Sequence, residues 1–199
     1  YVRFSNLTGK ICWLNTDSQL VCDTAILGTG DFLPWEAAKA CFQHQHDFNY
    51  LTIEDLASRV EQSEDGLRIA GMVYRALVVE PAVVDRLSAT EREVIADIER
   101  RGLVVWWKGA AETGDFLQRI HRIVPTPFTF TPAHPDLRVR HVCKGGMAYI
   151  LLFNEGQEEI PTRMNMTDSS AIGDGRLVNM DTELESTWQS DDLLDLPPH

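Results

Sequence analysis

The chain has 199 residues and a formal charge of −12, from 30 acidic against 18 basic side chains. That excess repels phosphate backbones and anionic lipid, so nucleic acid and membrane surfaces are excluded as expected partners. The hydrophobic content of 44% is ordinary for a globular protein, and no apolar run approaches the ~20 residues a membrane helix needs.

The opening segment lacks an initiator Met. Tyr1, Phe4, Leu7 and Ile11 recur at helical spacing, which predicts a helix ending near Leu14 and reads as a sequence that begins inside a longer one. Val21–Leu27 is a buried-strand candidate closed by Gly28-Thr29-Gly30. Pro34 then sits near the first position of a helix carrying Ala37, Ala38, Cys41 and Phe42 inward. Phe48–Leu51 is a second short strand, and Thr52 with Asp55 forms a capping box for the helix that follows. Leu67–Ile69 is a small strand, and Tyr74–Glu80 a Val-rich strand ended by Pro81. Thr90–Glu93 opens an amphipathic helix with Val94, Ile95 and Ile98 inward, stopped at Gly102. Leu103–Trp107 is the next strand, and Asp115–Ile123 the next helix.

Alternating strands and helices predict an α/β domain over 1–130, an open parallel sheet with helices on both faces. After Pro125-Thr126-Pro127 the period changes. Leu137–Cys143, Met147–Phe153 and Glu159–Met166 are strands separated by the turn signals Lys144-Gly145-Gly146 and Asn154-Glu155-Gly156. Residues 131–199 therefore read as a small, partial antiparallel β-sandwich. Leu193–His199 reads as an approach that stops before a final strand. Asp181, Glu183, Glu185, Asp191, Asp192 and Asp195, with no basic residue among them, read as a solvated acidic tail.

No catalytic constellation is legible. Leu27-Gly28-Thr29-Gly30-Asp31 lacks the third glycine of a dinucleotide turn, and Asp31 would put negative charge where phosphate sits. No nucleophile elbow brackets a Ser or Cys. Cys12, Cys22, Cys41 and Cys143 show no CxxC spacing; three of the four sit among apolar neighbours, and buried free thiols are the reading, which favours a reducing, cytoplasmic setting. His44 and His46 are the one metal-like pair, placed at a helix end where imidazoles also suit the carbonyl dipole. Asp31, Glu36, Asp47, Glu80 and Glu155 are acids whose spacing singles out no glycosidase pair. Trp35, Trp106 and Trp107 offer flat faces for sugar rings, although adjacent Trp106 and Trp107 cannot both face one layer of an alternating strand. No cofactor is implied.

The ordered segments Asp23–Leu27, Asp47–Leu51 leading to Asp55-Leu56, Tyr74–Val79 and Gly102–Val105 resemble one known pattern. It is the glutamine-amidotransferase-like (flavodoxin-like) α/β domain that follows the catalytic barrel in α-L-rhamnosidase-like and some β-galactosidase-like bacterial glycoside hydrolases. Leu137–His141 with Tyr149–Glu155 resembles the β-sandwich strands that come next in those enzymes. The resemblance implies an accessory module without the catalytic carboxylates, whose partner is the catalytic barrel of the same parent chain or a second copy. A carbohydrate-binding module using the exposed Trp residues is the alternative. An independent hydrolase using Cys41, Cys143 or the His44/His46 pair is the third reading.

Overall fold

The computed structural model describes residues 2–167 and 175–198; Tyr1 and His199, which enter two of the expectations above, lie outside them. The chain opens with helix α1 (Val2–Asn15) and a two-residue strand, β1 (Gln19–Leu20). Strand β2 (Thr24–Gly28) leads to helix α2 (Glu36–Gln43), β3 (Asn49–Thr52) and helix α3 (Ile53–Ser58). Three short strands follow, β4 (Glu61–Ser63), β5 (Gly66–Ile69) and β6 (Met72–Tyr74), and then β7 (Ala76–Val79). The turn α4 (Pro81–Val84), helix α5 (Ala89–Arg100), β8 (Val104–Trp106) and helix α6 (Thr113–Ile123) complete this part. The remainder is antiparallel: β9 (Phe128–Thr131), β10 (Leu137–Lys144), β11 (Met147–Asn154), β12 (Ile160–Met166), β13 (Gly175–Val178), β14 (Glu185–Trp188) and β15 (Leu193–Leu196).

Two compact units result, one of Cys22–Pro125 and the other of Tyr1–Val21 with Thr126–His199. The α/β unit ends at Pro125, within the Pro125-Thr126-Pro127 segment. The opening segment does not belong to the α/β unit: β1 pairs antiparallel with β10, Gln19 opposite Cys143 and Leu20 opposite Val142. A strand of two residues is too short to announce its pairing partner in sequence.

In the α/β unit β3, β2, β7 and β8 form a four-stranded parallel sheet in that spatial order. Every residue of β2 and β7 is buried, which explains why both read as continuous apolar runs. Alternate side chains feed two cores. Ile26, Ala76, Val78 and Val105 pack with α2 and α6 through Ala37, Cys41, Phe116 and Ile120. Ala25, Leu27, Leu77 and Val79 pack with α3 and α5 through Ile53, Leu56, Ile95 and Ile98. Both faces of the sheet are therefore covered.

Local chemistry explains the helix starts. Thr52 accepts from the Asp55 amide at 3.2 Å while the Thr52 amide donates to Asp55 at 3.3 Å, the expected capping box. Helix α5 begins one residue earlier than Thr90, because Ser88 and Glu91 form a second capping box. The segment from Tyr74 to Glu80 is two strands, not one. Its backbone breaks at Arg75, whose amide donates to Asp23 O at 2.8 Å, and β6 pairs instead with β5 in a small antiparallel sheet.

The second unit holds two three-stranded antiparallel sheets, in the orders β1-β10-β11 and β15-β12-β9, and the β13-β14 hairpin. Phe128, Phe130, Leu137, Ile160, Met164, Trp188 and Leu194 share one core. The β10–β11 turn is Gly145-Gly146 with φ of +58° and +79°, the left-handed pair that a two-residue hairpin requires. Two expectations need correction. The acidic stretch is not a tail, since Glu185–Trp188 is a strand and Trp188 is buried. Leu193–Leu196 is itself a strand on β12, with Leu194 buried in the core. Charge alternating with apolar residues concealed both, because the acids point outward while Trp188 and Leu194 hold the elements in place.

Gly66 and Gly71 separate two effects of glycine in the small sheet. Both have positive φ, +144° and +82°, but a Cβ on Gly66 would lie 2.4 Å from Tyr74 O whereas one on Gly71 meets nothing within 4 Å. Gly66→Ala is expected to cost about 3 kcal/mol and Gly71→Ala about 1 kcal/mol in urea unfolding. Equal losses would contradict the close approach at Gly66.

Candidate functional site

In an open parallel sheet, ligands collect at the carboxyl ends of the strands, where successive connections leave to opposite faces. Here that point lies between β2 and β7. The connection after β2 packs α2 on one face, while the connection after β7 packs α5 on the other. Helix α2 begins at this edge without a side-chain cap of its own, since Trp35 occupies the cap position. Its first-turn amide at Ala37 instead donates to Glu80 Oε1 at 2.8 Å. Glu80 directly follows β7 and is 7% exposed.

The amino end of a helix carries orphan N–H groups and partial positive charge, which suits an anion. At this edge the anion is the chain's own carboxylate. Burial pushes the Glu80 carboxyl above its usual range; the Ala37 N–H draws it back down, and neighbouring Glu36 pushes it up. Glu36 Oε2 in turn accepts from Trp107 Nε1 at 3.2 Å. From β3, the Tyr50 hydroxyl donates to Pro34 O at 2.6 Å, and burial followed by the Glu80 charge raises its pKa. Glu36, Tyr50, Glu80 and Trp107 thus converge from α2, β3, β7 and β8.

The loop ahead of α2 is also closed on itself. Thr29 and Phe32 exchange backbone hydrogen bonds of 2.8 and 3.3 Å, and Thr29 Oγ1 donates to Asp31 at 2.7 Å, which holds the Asp31 carboxyl below its usual range. A Cβ on Gly28 would sit 2.6 Å from Leu33 Cδ2 and 3.1 Å from Phe32 O, so Gly28 permits the loop to fold back rather than a phosphate to approach.

The three tryptophans expected to meet sugar do not act together. Trp107 is buried, edge-on to Phe116 with ring centroids 4.9 Å apart. Its ring faces are taken up by the core, which removes it as a stacking platform. Trp106 packs against the opposite core, and its Nε1 donates to Glu99 at 2.6 Å. Only Trp35 is well exposed, at 63%, with the Lys39 ammonium 5.8 Å from its ring centre.

His44 and His46 diverge. His44 Nδ1 lies 2.8 Å from Ala40 O at the end of α2. His46 is buried, with Nε2 2.8 Å from Thr24 Oγ1, its Nδ1 without a partner, and the His121 ring 5.7 Å away. Among the described residues no three His, Cys, Asp or Glu side chains gather as a metal site. Burial pushes the Cys41 thiol well above its usual range, so a thiolate is disfavoured there. Cys22 and Cys41 are buried as expected, but Cys12 is exposed and Cys143 only half-buried. Glu155 pairs with Arg138 at 2.7 Å beside the turn it was expected to occupy, and Asp47 accepts from the Phe48 amide at 2.9 Å.

Sequence reasoning grouped Glu80 with four other acids and gave it no role. One signal was present: a helix start with no Ser, Thr, Asp or Asn at its cap needs its amides satisfied from elsewhere.

No family model matches the chain, and no curated protein matches it. Among solved structures the chain is similar to a rhamnosidase from Novosphingobium sp. PP1Y, with a TM-score of 0.61 and 11% identity. That likeness covers 98% of this chain and 24% of the rhamnosidase, so the chain spans about a quarter of the larger protein. At this identity the likeness is one of fold.

The Glu80 bond at this edge and the buried His46 beside Thr24, at the other end of β2, are each open to measurement. Glu80→Ala leaves the Ala37 amide buried without an acceptor and is expected to cost about 2–3 kcal/mol, with faster hydrogen exchange at the start of α2; Glu80→Gln keeps an acceptor and should cost under about 1 kcal/mol. The second concerns His46, whose pKa burial, then His121, lowers from 6.5 to about 4. The unfolded chain takes up a proton near the ordinary histidine value while the folded chain does not. Stability present above that value is therefore lost as pH falls from about 6.5 toward 4, by roughly 3 kcal/mol from this group. His46→Gln should flatten the slope of unfolding free energy in that window.

Proposed function

We propose that the chain is a non-catalytic accessory module of a larger, rhamnosidase- or galactosidase-like glycoside hydrolase, which packs on the catalytic barrel or mediates oligomerisation. The observation that carries this reading is the closure of the sheet's carboxyl edge. The helix amide that an α/β binding site would aim at a ligand is taken by Glu80, from the same chain. A carboxylate committed to capping a helix is a poor acid–base catalyst, because its proton transfer would break the bond that positions it. The likeness in fold to a quarter of a rhamnosidase supports the same reading, since the remaining length of such an enzyme has room for a catalytic domain. An independent thiol enzyme is disfavoured by the buried, high-pKa Cys41.

The reading predicts that the purified chain unfolds cooperatively yet turns over no aryl α-L-rhamnoside or aryl β-galactoside. Turnover that disappears in Glu36→Gln or Glu80→Gln would overturn it.

A further inference from the structure

The β unit carries an open hollow of about 460 Å³ that none of the readings above uses. Ser5, Asn6, Gly9, Lys10 and Trp13 of α1 line it, with Glu183 from the turn between β13 and β14. Its volume lies within the roughly 300–1,000 Å³ of small-molecule sites. The sequence explains the shape. On a helix, residues at spacings of three and four share a face, so Ser5 or Asn6, Gly9 and Trp13 line up. Gly9 has nothing within 4 Å of where its Cβ would be, which leaves a trough beside the indole.

Trp13 is 55% exposed, unusual for so large an apolar side chain. It is nonetheless held in place. Tyr149 meets it edge to face at 5.8 Å, and the Lys144 ammonium lies 4.4 Å from the ring centre. The same ammonium donates to the carbonyls of Trp13 and Thr16, the latter at 2.6 Å. An exposed ring fixed from several sides loses little freedom when something packs on it.

The polar side of the hollow is equally fixed. Lys10 Nζ donates to Glu183 Oε1 at 2.7 Å and to Met180 O at 2.9 Å. That hydrogen bond holds the Glu183 carboxyl below its usual range. Glu183 itself sits at φ +61°, in a turn where Asn179 Oδ1 accepts from the Asp181 and Thr182 amides at 3.0 Å each. Lys10 and Glu183 cancel each other's charge, and the chain as a whole is strongly acidic, so the hollow offers nothing to a free anion.

We propose that this hollow binds a neutral pyranose sugar, which lays a C–H face on Trp13 and exchanges hydroxyl hydrogen bonds with Asn6, Lys10 and Glu183. A flat apolar platform bordered by both donors and acceptors, with no net charge, is the chemistry of a neutral saccharide. An apolar peptide would cover the Lys10–Glu183 pair and take water from it without offering new hydrogen bonds, and a charged ligand would have to break the pair. The proposal stands apart from the accessory-module reading, because sugar binding here neither requires nor excludes catalysis elsewhere.

The test uses the whole chain and follows its indole N–H signals by NMR during titration with methyl rhamnoside, methyl galactoside and short neutral oligosaccharides. Saturable shifts of the Trp13 signal in the millimolar range, with Trp35 unmoved, are the expected result. Gly9→Leu fills the trough while favouring the helix, so it should fold and lose binding by at least tenfold; Glu183→Gln should weaken it several-fold. An unmoved Trp13 signal at saturating millimolar sugar overturns the proposal, as do shifts that survive in folded Gly9→Leu. Loss of binding in Trp35→Ala but not Gly9→Leu would place the sugar at the sheet edge and overturn it equally.

Discussion

Helix α2 starts at Glu36 behind Pro34 and Trp35, no side chain of which caps it, and the carboxylate of Glu80 supplies what is missing from across the sheet. This single charge-assisted bond joins the ends of the first and third parallel strands to the helix that covers one face. Its position sets the neighbouring groups: Glu36 turns to Trp107, and Tyr50 donates to Pro34 rather than to the carboxylate. Because Glu80 is buried, its ionised form depends on the Ala37 amide, and the amide depends on Glu80 in the same way. The helix start, which could otherwise hold an anion, holds an internal strut instead.

The rest of the α/β unit is closed by its own residues in the same way. Its loop after β2 folds back on itself through Thr29, Phe32 and Asp31, and buried Cys41 and His46 are held uncharged by burial. The same architecture with a glycine-rich turn and an open helix start would face a phosphate. Here the difference lies in two residues, Gly28 pressed against Leu33 and Glu80 in place of a ligand. In the β unit, polar groups do comparable work. Asn154 is buried yet fully engaged, donating to Glu158 O and Leu196 O and accepting from the Gly156 amide, which ties the turn to β15.

Much of the parallel sheet was legible because burial on both faces leaves an unbroken apolar run, as in Ala25–Leu27 and Leu77–Val79. The Thr52–Asp55 capping box and the Gly145-Gly146 turn were legible for a similar reason: each satisfies its backbone with residues a few positions away. The β13–β14 hairpin and β15 were not, since their stability comes from Trp188 and Leu194 reaching a core built by distant strands. The tryptophans divided in the same way. Alternation predicted that Trp106 and Trp107 would part, but which of Trp13, Trp35 and Trp107 would be exposed depended on what packed over each.

The sequence by itself determined the period-two and helical segments, the local caps and turns, and the absence of a recognisable phosphate loop or nucleophile elbow. Those are short-range properties, written in neighbouring residues. Only the tertiary structure decided that Tyr1–Val21 joins Thr126–His199, that Glu80 caps α2, and that Gly9, Trp13 and Glu183 border one hollow. Each of these joins residues more than forty or a hundred positions apart, and a single sequence carries no record of which distant groups will meet, because burial and hydrogen-bond satisfaction are settled only when the whole unit packs.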